Sequence, residues 1–183
     1  MSAVNRGEHR LLRFLLLLSL AGSAFACAAG SADEVTWIAD NRGCKVANTF
    51  PRPGESIAWS GRCKDGYADG DGVLQWFLDG EQDDRFEGHL SMGWAEGRGA
   101  LAKTDGSTYV GDWKHSSQEG VGRYDAPDGS WYQGEWKKGL PNGQGEYRAA
   151  DGERFVGQWV DGVYQSGEPG QPEQDEAPDP NRT

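Results

Sequence analysis

From residue 86 to residue 164 the chain carries short runs in which large rings alternate with glycine at every second position. Tyr109, Gly111 and Trp113 belong to one such run, and Gly120, Gly122 and Tyr124 to the next. Period two is the signature of strands whose side chains point in turn to the two faces of a sheet. Two runs separated by turn-forming residues predict a β-hairpin. "APDGS" and "LPNGQ" are predicted as its tight turns, because Pro fixes φ and the following Asp or Asn and Gly accept positive φ.

The hairpin recurs with a constant stride. Phe86, Tyr109, Tyr132 and Phe155 stand 23 residues apart, each followed two residues later by Gly88, Gly111, Gly134 or Gly157. Trp113, Trp136 and Trp159 correspond, as do Gly97, Gly120 and Gly143, then Gly99, Gly122 and Gly145. Tyr124 and Tyr147 share a third ring position, and Asp-Gly pairs at 105–106, 128–129 and 151–152 close each unit. Each unit reads aromatic-x-Gly-x-Trp, a turn, Gly-x-Gly-x-Tyr, and a second turn.

Glycine inside a strand costs about 0.5–1 kcal/mol against alanine, so its repeated use needs a return. A ring standing on one strand requires an empty site on the strand beside it, and burial of a large apolar side chain contributes about 1.5–3 kcal/mol. One hairpin is too small to be stable alone, whereas stacked units share the burial.

These motifs resemble a known family. The stretches YVGDWKHSSQEGVGRYDAPDGSW and YQGEWKKGLPNGQGEYRAADGER are similar to the MORN repeat (membrane occupation and recognition nexus), and the likeness extends over residues 86–164. It implies an all-β protein, an elongated single-layer antiparallel sheet of stacked 23-residue hairpins. The units are 86–108, 109–131, 132–154 and a half unit, 155–164, that ends after one strand. Leu90 and Leu101 replace the Trp and Tyr of the first full unit, and Ser116 replaces the glycine found at 93, 139 and 162. Upstream, residues 59–85 read as a divergent first unit, with Gly61, Gly70 and Gly72 each 27 residues before Gly88, Gly97 and Gly99. Four residues are inserted there. Nine strands in all would extend about 40 Å at the usual strand spacing.

Residues 33–58 are expected to cap the array. The segment GCKVANTFPRPGESIAWSGRC, residues 43–63, is similar to the stretch that leads into such arrays in some exported bacterial proteins. A Cys44–Cys63 disulfide would close this loop, adding about 3 kcal/mol by chain entropy and covering a sheet edge. Two free buried thiols are the alternative.

The N-terminus has the layout of a secretory signal peptide, residues 1–28: Arg6, Arg10 and Arg13, an apolar run from Phe14 to Leu20, then small residues. The apolar run is too short to span a bilayer, so a permanent anchor is the weaker reading. Cleavage fits after Ala26 or Ala28; the second removes Cys27 and leaves an even pair of cysteines for an oxidising compartment. A lipid on Cys27 is the rival, against which Ala24-Phe25-Ala26 lacks the expected Leu. The expectation is an exported protein, periplasmic or attached to the cell envelope. At the other end, residues 165–183 are Pro-rich, acidic and free of aromatics, the composition of a disordered tail.

Charge and motif spacing narrow the chemistry. Eighteen Lys and Arg against 29 Asp and Glu give −11, and without Arg6, Arg10, Arg13 and Glu8 the balance is 15 against 28, or −13. Such a surface repels phosphates, which argues against nucleic acid and disfavours bare anionic lipid. DGYADGDG, residues 65–72, has close aspartates but Tyr67 at the third ligand position of a calcium loop. No Cys-x-x-Cys or His-Glu-x-x-His spacing occurs, and His89 and His115 stand on separate units. No metal, cofactor or catalytic residue is therefore assigned, although a Ser-His-acid set can assemble from distant positions.

The expectation is a non-enzymatic interaction module, binding a partner protein through its aromatic and glycine surface or through an open edge strand; Trp136 and Trp159 are the candidates for surface contribution, with a purely core role the stronger reading of both. Membrane-lipid recognition, which the family name implies, is the alternative. Residues 86–164 carry eight Lys and Arg against twelve Asp and Glu, so Lys137 and Lys138 are its local support. Glycan binding on exposed Trp and Tyr rings is a further alternative.

Overall fold

The structure is a computed structural model that describes residues 35–170. The expected signal segment 1–28, Cys27 and residues 171–183 lie outside the described residues. Thirteen strands run in chain order: β1 (Thr36–Ala39), β2 (Lys45–Asn48), β3 (Glu55–Trp59), β4 (Arg62–Lys64), β5 (Tyr67–Leu78), β6 (Glu81–Ser91), β7 (Trp94–Ala102), β8 (Thr108–Lys114), β9 (Ser117–Asp125), β10 (Trp131–Lys137), β11 (Leu140–Arg148), β12 (Arg154–Val160) and β13 (Val163–Gly170). They form one sheet in the order β1-β2-β5-β6-β7-β8-β9-β10-β11-β12-β13, with β3 and β4 also paired to β5. All pairings are antiparallel except the single β2–β5 bridge. No helix occurs among the described residues.

The count exceeds nine for three reasons. The N-terminal segment adds the β1–β2 hairpin, the first array strand is split into β3 and β4 around Ser60-Gly61, and β13 continues the array past residue 164. The half unit 155–164 is therefore a complete hairpin, and the segment expected to be a disordered tail begins as strand through Gly170. Its physical basis is local: Asp161-Gly162 makes the turn, and Gly157 faces Gly167 across the β12–β13 pair.

Two kinds of turn join the strands, and they alternate from β7 onward. Asp65-Gly66, Asp79-Gly80, Met92-Gly93, His115-Ser116, Lys138-Gly139 and Asp161-Gly162 are two-residue loops with positive φ at both positions. This is the type I′ turn, whose twist matches that of the strands it joins. The other ends carry five-residue loops closed by Lys103 N–H to Ser107 O, Ala126 N–H to Ser130 O and Ala149 N–H to Glu153 O at 2.8–2.9 Å. APDGS is such a loop. LPNGQ is not: the chain turns at Lys138-Gly139, and Leu140-Pro141-Asn142-Gly143 opens β11, with Pro141 opposite Trp136. Gly143, at φ +112°, serves a register shift in the strand pair and not a turn.

The N-terminal segment closes the first edge. β3 and β4 together line the side of β5 away from β6. The inserted residues lengthen β5 and β6, so that Leu78 pairs Glu81 beyond the level of the other hairpins. Cys44 and Cys63 form a disulfide that ties the approach to β2 to β4. Beside it, buried Asp40 accepts the N–H groups of Arg42 and Cys44, both at 2.9 Å, and Arg42 donates to the Trp59 carbonyl. The β1–β2 hairpin then reaches the turn between β6 and β7: Ala47 N–H donates to Gly93 O at 2.9 Å, and Trp37 meets Tyr67 and Trp94 edge to face.

Candidate interaction surface

Register places the glycines in one row across nine strands: Gly72, Gly88, Gly99, Gly111, Gly122, Gly134, Gly145, Gly157 and Gly167 face one another in sequence. From β6 to β11 a ring lies across the glycine pair of each hairpin. A methyl group on Gly111 or Gly122 would sit 2.7 and 2.5 Å from the Tyr109 ring carbon Cζ, and Tyr132 covers Gly134 and Gly145 in the same way. Phe86 covers Gly88 and Gly99, and Trp59 covers Gly61 and Gly72. The divergent first unit thus obeys the same rule.

The tryptophans join one hairpin to the next. Trp113, Trp136 and Trp159 donate their indole N–H to the carbonyls of Gly99, Gly122 and Gly145 at 3.0–3.2 Å, each across to the preceding hairpin. Phe86, Trp113, Tyr109, Trp136, Tyr132, Trp159 and Tyr164 form an unbroken edge-to-face chain with centroids 5.1–5.3 Å apart. Such contacts add about 0.5–1.5 kcal/mol each beyond area burial. Burial, and secondarily the Glu135 carboxylate, pushes the Tyr132 phenol up to about 12. Tyr109 is raised further for the same reason, with Asp112 as the second cause.

This closure decides between the two roles open to the tryptophans, for core and against surface contact. Trp113, Trp136 and Trp159 are only 7%, 8% and 6% exposed, so they have almost no ring surface for a protein or a sugar to cover. Tyr124, Tyr147 and Phe155 are partly buried against the same core. The ring-and-glycine face is a core laid along a sheet.

Several acids, too, are engaged by the fold. Asp112 accepts Val121 N–H at 3.0 Å and Glu135 accepts Gln144 N–H at 2.9 Å, satisfying backbone groups beside Gly120 and Gly143. Glu96 and Glu119 accept the turn N–H of His115 and Lys138, 19 residues on, at 3.0 and 3.1 Å. Asp105 and Asp128 each accept the N–H and hydroxyl of the serine two residues later, Ser107 or Ser130, which lowers both carboxyls. The signal for these roles was the 23-residue recurrence of the acids.

Lys137 ends β10 and Lys138 occupies the turn that follows; both are exposed, next to Leu140, which is 44% exposed. On the face opposite the rings lies a strip that the sequence reading missed. Asp125, Trp131, Arg148, Arg154 and Gly170 face one another in a row across β9 to β13. The Arg123 guanidinium lies 4.3 Å over the Trp131 ring and holds Asp125 at 2.9–3.0 Å. Arg154 holds Glu146 at 2.9 Å, and its guanidinium keeps that carboxyl below the usual range. Parity was the available signal: Trp131 directly precedes Tyr132 in the strand, so it projects to the other face.

Among the described residues, no group of three or more His, Cys, Asp or Glu side chains is arranged to hold a metal ion. Compared with known families, residues 109–131 and 132–154 match the MORN repeat. These units are thus MORN repeats, which serve generally as interaction or membrane-binding modules. No curated protein matches the chain.

Proposed function

We propose that this MORN-repeat protein is a non-enzymatic interaction module of the bacterial cell envelope, and that it captures a partner protein by strand addition at β13. The observation that carries this reading is the strand order. The array ends in β13, paired with β12 and with no further strand beyond it among the described residues, and an edge of this kind is a template for an extended segment. The closed ring face supports the choice, because it leaves the edge and the charged face for contact. The signal-like N-terminus and the cysteine pair support an exported location.

The test is site-specific photo-crosslinking in intact cells, with a benzophenone amino acid replacing exposed Gln165 on β13 or exposed Val110 in the middle of the array. A discrete protein adduct from position 165 and none from position 110 is expected. Adducts from 110 alone would overturn the edge-strand reading.

Membrane-surface binding is the second reading, favoured by exposed Leu140 beside Lys137 and Lys138. Salt-sensitive sedimentation with anionic vesicles, lost in Lys137→Glu/Lys138→Glu, would put it first.

A further inference from the structure

One kind of junction between hairpins occurs three times in this sheet, and its receiving half recurs, unfilled among the described residues, at β13. At each junction a strand of the pattern aromatic-x-Gly-x-Trp pairs antiparallel with the strand before it: β8 with β7, β10 with β9 and β12 with β11. Its glycine faces the last row glycine of the preceding hairpin, Gly111 to Gly99, Gly134 to Gly122 and Gly157 to Gly145. Its tryptophan, two residues on, donates the indole N–H to that same glycine's carbonyl at 3.0–3.2 Å.

Gly167 stands where Gly99, Gly122 and Gly145 stand. Within each hairpin the two glycines are close: a methyl on Gly88, Gly111, Gly134 or Gly157 would lie under 3.0 Å from the Cα of Gly99, Gly122, Gly145 or Gly167. This is the narrow pair of an antiparallel ladder, which exchanges no backbone hydrogen bonds. The N–H and C=O of Gly99, Gly122 and Gly145 therefore turn toward the next hairpin, and by the same geometry those of exposed Gly167 turn to the open side of β13. Pro169, two residues on, has no N–H to offer, so pairing on this edge centres on Gly167. A ring is in place there as well. The Tyr164 hydroxyl lies over Gly167 as that of Tyr132 lies over Gly145. Tyr132 is flanked by Trp136 of its own hairpin and Trp159 of the next, each at 5.2 Å. Tyr164 has Trp159 of its own hairpin at 5.3 Å, and β13 is the last described strand.

We infer that β13 takes a partner-protein segment of this same pattern, aromatic-x-Gly-x-Trp, antiparallel and with its glycine opposite Gly167. The segment's Trp donates its indole N–H to the Gly167 carbonyl and packs edge to face on Tyr164. Its glycine leaves room for its own aromatic residue, as Gly111 does for Tyr109. A second copy does not fit: β8, β10 and β12, which carry the pattern, are each paired on both sides, and β13 has Pro169 at the Trp position. The inference rests on strand addition at β13 and adds the sequence pattern that is added.

The probe is the peptide GSWYQGEWKKG, residues 129–139 of this chain, titrated into the isotope-labelled full-length protein. Amide peaks of Tyr164 and Gly167 should shift saturably, while those of Gly111 and Gly122 stay in place. Peptides carrying Trp136→Ala or Gly134→Val should bind at least about 10-fold more weakly, the first through loss of one hydrogen bond and one ring contact. Absence of a saturable Gly167 shift would overturn the inference. Equal binding by the altered peptides would overturn it too, leaving strand addition by backbone pairing alone. A Gly167 shift that follows protein concentration without peptide would assign the edge to a second copy, against the inference. Adducts from position 165 in cells would survive each of these results, so the pattern and the edge are tested separately.

Discussion

The two MORN repeats at 109–154 and the two ends of the sheet solve the same problem by different means. Inside the array the core rings at the head of each unit are covered by rings of their own and the next hairpin: Tyr109 lies between Trp113 and Trp136, and Tyr132 between Trp136 and Trp159. At the ends no such neighbour exists. Trp59, the first ring, is enclosed by other devices: its indole N–H reaches Arg62 O at 2.8 Å, Arg42 holds its carbonyl, and the Cys44–Cys63 disulfide fixes the segment that carries Arg42. At the other end Tyr164, from within the last hairpin, takes the place of the absent next ring, 5.3 Å from Trp159 and 5.5 Å from Phe155. A repeat whose core is shared between neighbours is self-consistent only in its interior, so its ends must be closed by sequence that breaks the repeat.

The sharpest break in this comparison is the disulfide. Cys44→Ser/Cys63→Ser should cost about 3 kcal/mol, the chain-entropy value for a loop of this length, with the loss confined to the N-terminal end. Hydrogen exchange checks it: amides of β1–β4 should lose protection while those of β8–β11 keep theirs. Uniform loss across the sheet would mean that the cap and the array unfold as one unit.

Next in size is the interior. Gly145→Ala places a methyl 2.5 Å from Tyr132 Cζ, and overpacking of this kind costs about 2–3 kcal/mol. Gly66→Ala, in the turn between β4 and β5, meets nothing within 4 Å. Its cost is that of a left-handed backbone alone, about 1 kcal/mol. Urea unfolding of the two variants separates the steric role of glycine from its conformational one, and equal losses would refute the ring-over-glycine account.

Much of this was legible in the sequence because the controlling interactions lie two residues apart on one strand or directly across a pair. The 23-residue stride, Tyr109 with Gly111 and Trp113, and the empty sites at Gly122 and Gly145 all follow from period-two geometry. The turn at Lys138-Gly139 was hidden for a physical reason. Type I′ geometry here is imposed by the strand pairing, which holds Met92, His115, Ser116 and Lys138 at positive φ where their own propensities give little warning. LPNGQ carries the stronger local turn signal yet lies in β11, since Trp136 opposite Pro141 and the shift at Gly143 fix its register. Burial of Trp136 and Trp159 was the stronger reading of the ring-and-glycine pattern; spacing alone left open how a one-layer sheet covers them, with rings of neighbouring repeats, since that depends on twist and side-chain direction.

β13 is where the sequence reading stopped early, and Tyr164 explains why the chain does not. In a regular unit the glycine opposite Gly157 would be residue 168, two positions after the one aligned with Gly143; here Gly167 takes that role, with a one-residue shift at Gln158/Trp159. Tyr164 stands opposite Trp159 as Gln118 and Pro141 stand opposite Trp113 and Trp136, and its hydroxyl donates to Val156 O at 3.3 Å. A ring half-buried at an end contributes less than one enclosed on both sides, so Tyr164→Ala should cost about 2 kcal/mol, below the 3–5 typical of a fully buried ring. Tyr164→Phe should lose only about 0.5–1 kcal/mol, the net value of one hydrogen bond. In Tyr164→Ala the β12–β13 amides should exchange faster while Gly122 and Gly134 are unaffected. Preserved protection in β13 would mean that backbone pairing alone holds the last strand, and that this end, unlike the disulfide-linked one, needs no cap.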